Sequence, residues 1–317
     1  MRIYIYAGIT AFLLSLVFCK TLIPILRKLR AGQNILSYVR EHKSKGGTPT
    51  MGGLAFILAA IISTFLFVEQ KDRTFILTIV IGLAYMCVGL LDDLLKCRHK
   101  ENLGLKAWQK LVFQTLIALF VGYFCVKNGF TALYIPFADI VVNIGYFTYP
   151  IVIFVFLATV NAVNLTDGLD GLASLTSIPY FIIFAILIAL QGGKGELSLT
   201  CVCLSCAVAA YLLFNVSPAS VFMGDTGSLS LGGFAACIAC FSGNALYIVI
   251  VGICFVLSVI SVVVQVIYYK ATGGKRIFLM SPLHHHFQQK GYSESKISYA
   301  YAVITTIAGI IALLSWI

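Results

Sequence analysis

The sequence predicts an all-α integral membrane protein, a bundle of ten transmembrane helices, and two observations carry that expectation. Of 317 residues, 60% are hydrophobic and only 11% are charged, against roughly 25% charged in a soluble globular domain. The apolar residues also gather in continuous runs of the length that crosses a bilayer, about 20 residues each. At that length about 190 apolar positions set a ceiling near nine or ten spans. Little chain is left for any domain outside the membrane, and a soluble protein is excluded. No Pro-rich or Ser-rich stretch and no repeat of roughly 20 to 50 residues divides the chain, so one integral domain, residues 1–317, is expected.

In order, the expected helices cover residues 4–26, 52–68, 74–91, 107–126, 147–163, 172–190, 197–214, 228–242, 245–269 and 297–316. The first begins in an apolar stretch, Ile3 to Phe18, with only Arg2 as a positive flank and further spans behind it; it reads as an uncleaved helix, not a signal peptide. The third closes on Asp92 and Asp93, the fifth runs into a loop of Asn, Thr, Asp and Gly, and the eighth follows Asp225-Thr-Gly-Ser228. The ninth, at 25 residues, would measure about 37 Å against a hydrocarbon core of about 30 Å, so it should tilt, bend or project. Ten cysteines are present, and all but Cys97 lie inside apolar runs. There they read as small hydrophobes filling helix contacts.

Orientation follows from the basic residues. With both termini outside, the inner loops hold 16 of the 22 lysines and arginines, including Lys45, Lys96, Lys110 and Lys275; five fall outside and Lys20 lies within the first span. Basic residues favour the cytoplasmic side. The same asymmetry accounts for the net charge of +10 without nucleic acid, because a basic inner face attracts anionic lipid and phosphate ligands.

The acids are more informative. Only twelve exist, and Asp92, Asp93, Asp167, Asp170 and Asp225 all fall at the inner ends of spans. In Gly89-Leu-Leu-Asp-Asp-Leu-Leu-Lys96 the aspartate pair sits where a helix C-terminus disfavours carboxylates, so something positive must offset it. Neighbours on a helix point about 100° apart; one aspartate is free to face a metal while the other pairs with Lys96 or Lys110. The loop Asn161 to Leu172 carries no lysine or arginine, and its asparagines, threonine and aspartates offer oxygen ligands and nucleobase or sugar partners. In Phe222-Met-Gly-Asp-Thr-Gly-Ser-Leu229, preceded by Asn215 and Pro218, Asp225 reads equally as a helix N-cap or as a functional carboxylate. Acids at membrane depth from three separate loops beside lysines describe a magnesium-plus-phosphate site. The last inner loop holds Ser281-Pro-Leu-His-His-His-Phe287, whose imidazoles suit phosphate or sugar contacts better than zinc, since adjacent side chains diverge.

With Gly47-Thr-Pro-Thr-Met-Gly-Gly53, Asp92 and Asp93, Asn161 to Leu172, Phe222-Met-Gly-Asp225 and Pro282-Leu-His-His-His-Phe287 in this order, the chain resembles the phospho-N-acetylmuramoyl-pentapeptide transferases. These belong among the polyprenyl-phosphate N-acetylhexosamine-1-phosphate transferases. The resemblance implies a ten-span homodimer of the bacterial cytoplasmic membrane with its active site on the cytoplasmic face. It further implies transfer of phospho-N-acetylmuramoyl-pentapeptide from UDP to undecaprenyl phosphate with magnesium, giving lipid I and UMP. Carried over by motif, Asp225 is the magnesium ligand with Asp92 and Asp93 close by, and Asp92 is the base or orients the lipid phosphate. Lys45, Lys110, His284, His285 and His286 then bind phosphates or sugar, alongside Thr48, Asn164 and Asp167. Asn215, Phe222, Asp170 and Gln265 fall on the uridine side. Two rivals remain at this level: a sibling enzyme using UDP-N-acetylglucosamine, and a secondary transporter, whose buried acids would sit near mid-membrane on broken helices.

Overall fold

A computed structural model describes residues 1–29, 47–99, 104–138 and 140–316. The chain forms α1 (Arg2–Lys28), α2 (Gly53–Phe67), α3 (Arg73–His99) and α4 (Ala107–Lys127). A hairpin of β1 (Ala132–Ile135) and β2 (Ile140–Asn143) follows, then α5 (Thr148–Thr166), α6 (Leu172–Leu190), α7 (Gly195–Asn215) and α8 (Gly224–Phe241). The remainder is α9 (Tyr247–Val251), α10 (Ile253–Ala271), α11 (Leu283–Gln289) and α12 (Glu294–Leu313). Among the described residues eight helices are long and apolar enough to cross a membrane; α2, with 15 residues, is a shorter apolar helix. The chain is thus a mostly helical integral membrane protein.

Helix α8 is the axis of the bundle. Every residue in it except Asp225 is buried, and it packs chiefly on α3 and α5, with α2 also against it. Its run of Gly, Ala and Ser lets backbones approach closely, which is how helices associate where no hydrophobic driving force separates protein from lipid. Gly89 of α3 is one such point: a side chain there would strike the Asp225 carbonyl. The outer helices instead turn large apolar side chains outward, Ile5, Ile9 and Leu13 on α1 and Val303, Ile307 and Ile310 on α12, as lipid contact requires.

The expected ninth run breaks in two. Gly252 ends α9 and starts α10 with φ −91° and ψ 23°, so the over-long segment bends at glycine. The hairpin, antiparallel with Ala132 opposite Asn143, was not read from the sequence; its strands are only four residues each. Its Tyr134 amide donates to the Gly243 carbonyl just past the end of α8, so the hairpin lies at the end of the bundle opposite Asp225. All ten cysteines are free thiols and most are buried.

Candidate active site

Helix α3 does not stop at the aspartate pair. It continues to His99, so Asp92 and Asp93 sit inside a helix, and the expected penalty of a helix C-terminus does not fall on them. Both are fully buried. Asp92 is held by charge: its Oδ2 lies 2.7 Å from Lys96 Nζ, one turn on, and 2.9 Å from Lys110 Nζ of α4. Its Oδ1 accepts the Leu105 amide at 2.6 Å, tying the entry to α4 onto α3.

Asp93 points elsewhere, as the angle between helix neighbours requires. It accepts the backbone amides of Asp225 at 3.2 Å and Thr226 at 2.9 Å, and the Thr226 hydroxyl at 2.7 Å. These are the orphan donors at the start of α8, so the cap of α8 comes from another helix. The N-cap position is Met223 and no side chain caps from within; the capping reading of Asp225 is therefore corrected. Relieved of that task, the Asp225 carboxylate contacts Lys110 and lies 3.3 Å from Lys96. Its Oδ1 accepts Asn164 Nδ2 at 3.0 Å, and the same amide reaches Ser228 Oγ at 2.9 Å.

Ligand oxygens of Asp92, Asp93 and Asp225 lie within 4.8 Å of one another. Three carboxylates against the two ammoniums of Lys96 and Lys110 leave a formal negative charge, and hard oxygen donors suit magnesium. Asp167 joins from the loop after α5: burial, and then the charges of Asp225, Asp93 and Asp170, push its carboxyl well above the usual carboxylate range.

The uridine-side residues expected from the sequence are near this end but occupied with the chain itself. Asn215 donates to the Val221 carbonyl and accepts from Ser174. An Asp170 oxygen accepts the Ala219 amide at 3.0 Å. Gln265 accepts the amides of Ile277 and Phe278 and donates to the Phe278 carbonyl, which fixes the turn leading to the histidines. Phe222 is half-buried, and its backbone pairs with Pro49 and Gly52. That pairing joins the Gly47 to Gly53 motif, with half-buried Thr48, to the start of α8. Lys45 lies outside the described residues.

The three histidines lie in the first turn of α11, after Pro282 and Leu283. His284 is fully buried, and neither ring nitrogen has a hydrogen-bond partner among the described residues. Burial, and then neighbouring His285, lowers its pKa to about 3, so it is neutral. His285 Nδ1 lies 3.0 Å from Gln288 Oε1, and His286 Nδ1 accepts the Leu279 amide at 3.1 Å. A side chain at Gly168, next to Asp167, would run into His284 Nε2 and come within 3.0 Å of His285 Nε2. The histidine helix therefore sits directly over the loop that carries Asp167.

Comparison with known proteins places this geometry. The model described as glycosyl transferase family 4 matches residues 74–243, which takes in both acid helices, Lys110 and the Asn161 to Leu172 loop. A second, described as phospho-N-acetylmuramoyl-pentapeptide-transferase signature 1, matches residues 45–57. A phospho-N-acetylmuramoyl-pentapeptide-transferase of Clostridium novyi (strain NT) is 41% identical over 320 residues, covering 100% of this chain and 98% of its own. The chain belongs to the phospho-N-acetylmuramoyl-pentapeptide transferase family. Transferases of the same name from Clostridium perfringens (strain 13) and Geobacillus sp. (strain WCH70) are 42% and 39% identical, over 98% and 93% of this chain and 98% and 92% of theirs.

Some residues around this cluster were expected from the sequence only as partners, and others were not expected at all. Lys96, expected as a partner of the aspartate pair, touches both Asp92 and Asp225; its i, i+4 spacing from Asp92 accounts for the first contact, while the second depends on how α8 packs. Thr50 has a buried hydroxyl without a partner among the described residues; it faces Gly224, whose φ of +71° only glycine adopts freely. Thr226, Ser228 and Glu294 gave no signal of their own, since polar residues are common at helix starts, and neither did Gln288 near the end of α11.

Proposed function

We propose that this transferase moves phospho-N-acetylmuramoyl-pentapeptide from its UDP carrier to undecaprenyl phosphate, releasing UMP and forming lipid I. The observation that carries the reading is the carboxylate and lysine cluster of α3, α4 and α8, in a chain alike over its full length to transferases of that name. An oxygen of the lipid phosphate attacks the sugar-linked phosphorus, and the bond to the UMP oxygen breaks. A phosphomonoester is mostly ionised at neutral pH, so the site has little need of a strong base. Its task is charge neutralisation and alignment.

Asp225 and Asp92 would hold magnesium, which would supply charge neutralisation to the diphosphate of the donor as UMP departs. Asp93 acts at one remove: by capping α8 it sets where the Asp225 carboxylate stands. Lys96 and Lys110 are drawn to phosphate oxygens when these compete for them, and Lys45 does the same from the motif at residues 45–57. Asn164 steadies Asp225. Asp167 and Thr48 line the donor, Asp170, Asn215 and Gln265 hold the loops around the uridine, and Phe222 packs on it. His284, His285 and His286 cover the sugar side.

The same reading assigns one domain, residues 1–317, of ten spans in the bacterial cytoplasmic membrane. In it α2 and α8 also cross, enclosed by longer neighbours, and α9 with α10 makes one bent span. Both termini face outward, supported by the bias of basic residues, and a homodimer is the working unit by family resemblance. Single cysteines at Lys71 or Lys194 in a cysteine-free background should react with an impermeant external thiol reagent, and one at Lys275 should not. UMP release tests the activity: the muramoyl-pentapeptide donor should react at least tenfold faster than UDP-N-acetylglucosamine, about 1.4 kcal/mol in barrier. Equal rates would favour the sibling enzyme.

A further inference from the structure

Between the histidine helix and α12 runs a chain of hydrogen bonds that the transfer reaction, as described, does not use. Glu294 opens α12. Its Oε2 accepts the Asp170 amide at 2.9 Å and its Oε1 accepts Gln288 Nε2 at 3.3 Å. Gln288 in turn places Oε1 3.0 Å from His285 Nδ1. His285 Nε2, at the far side of the ring, faces Gly168.

The polarity of this chain is set at one end. A carboxylate only accepts hydrogen bonds, whereas a glutamine amide has one accepting and one donating end. Glu294 therefore selects the NH₂ of Gln288, which leaves the Gln288 oxygen toward the imidazole. An oxygen there requires a proton on His285 Nδ1. In the neutral ring, Nε2 then carries a lone pair and acts as an acceptor. We infer that Glu294 is a positioning residue: through Gln288 it fixes His285 as the Nδ1–H tautomer, so that Nε2 accepts a hydrogen bond from a hydroxyl or N–H group of the donor's sugar portion.

The chemistry excludes an anionic phosphate oxygen as the partner of this nitrogen, because both would be acceptors. It also separates His285 from His286, whose Nδ1 accepts the Leu279 amide and whose proton therefore sits on Nε2. Adjacent histidines thus present opposite polarity to their surroundings. The inference rests on the reading of this site as a sugar-phosphate donor site, but the tautomer itself does not.

Glu294→Gln tests it with little change of shape. The substituted side chain can still accept the Asp170 amide through its oxygen, and its NH₂ then faces Gln288. Gln288 must turn its oxygen to meet that group and its NH₂ to His285, which moves the imidazole proton to Nε2. The double variant Gln288→Glu with Glu294→Gln restores an oxygen beside Nδ1 and so restores the original tautomer. The readout is ¹⁵N NMR of the full-length protein, histidine-labelled, in lipid nanodiscs, with the His285 signals identified by their loss in His285→Gln. The wild type should show Nδ1–H, Glu294→Gln should show Nε2–H, and the double variant Nδ1–H. In UMP release, Glu294→Gln should lose about tenfold in kcat/KM for the muramoyl-pentapeptide donor, with the KM for undecaprenyl phosphate unchanged. The double variant should recover most of the loss.

An Nε2–H ring in the wild type, or no change of tautomer in Glu294→Gln, overturns the inference. So does a tautomer change that leaves donor kcat/KM unaltered. A wild type that shows Nδ1–H but releases no UMP from this donor would instead refute the functional reading.

Discussion

The acid cluster and the histidine helix face the same loop but are built on different principles. Asp92 and Asp225 are held by ammonium groups on the long packed helices α3 and α4. His285 is held by a neutral amide of its own seven-residue helix. The first arrangement can exchange its lysines for phosphate and metal without rebuilding the backbone, since the charges are the adaptable part. The second cannot shift its ring proton from Nδ1 to Nε2 without reversing hydrogen bonds back to Glu294. On the proposed reading, charge neutralisation and recognition fall to separate, differently stiffened parts of one site.

The largest effect that separates the two regions should come from Lys110→Met. The side chain keeps its apolar stem, but Asp92 and Asp225 lose a shared cation and the phosphates lose a partner. UMP release should fall about a hundredfold, in the range seen when one preorganised donor to a developing charge is removed. A loss below about threefold would mean that Lys96 alone supplies this charge.

Asp93→Ala should act on stability first. It strips two buried amides and the Thr226 hydroxyl of their acceptor, at a cost of about 2 kcal/mol. The midpoint of thermal denaturation should drop, and Asp93→Asn, which keeps one acceptor, should lose less. Equal midpoints for wild type and Asp93→Ala would remove Asp93 from its capping role.

A smaller effect distinguishes the histidine region. His284, with its pKa lowered to about 3 by burial, stays neutral in the fold, whereas the unfolded chain takes up a proton near pH 6.5. The unfolded state therefore binds more protons between those values, and stability must fall as pH drops below about 6.5. Between pH 6.5 and 5 the wild type should lose up to about 2 kcal/mol, seen as a falling thermal midpoint. His284→Gln should show a shallower fall over the same window, and parallel curves would mean that His284 titrates normally.

The sequence made much of this visible, and the failures are instructive. Apolar runs located the long helices because lipid requires every span to be continuously apolar. Asp92, Asp93 and Asp225 were legible as acids where acids are costly, and Lys96 and Lys110 as cations that had to offset them. What could not be read was the direction in which a polar group spends its hydrogen bonds. Asn215, Asp170 and Gln265 looked like ligand donors, yet each first satisfies loop backbone that would otherwise be buried unpaired. Asp93 serving the start of α8, 132 residues away, and Glu294 serving His285 through Gln288 are facts of tertiary contact that no local pattern encodes. The bend at Gly252 was foreseeable from length, its position was not.

The central claim is that Asp225 is a functional carboxylate and not a helix cap. It is tested most directly by UMP release from the muramoyl-pentapeptide donor by Asp225→Asn across a magnesium titration, with thermal denaturation run in parallel. Asparagine caps a helix about as well as aspartate but is a weaker ligand for a hard cation. The account predicts a thermal midpoint close to wild type and at least about a hundredfold loss of turnover at every magnesium concentration. Near-normal turnover in a normally folded Asp225→Asn would contradict it.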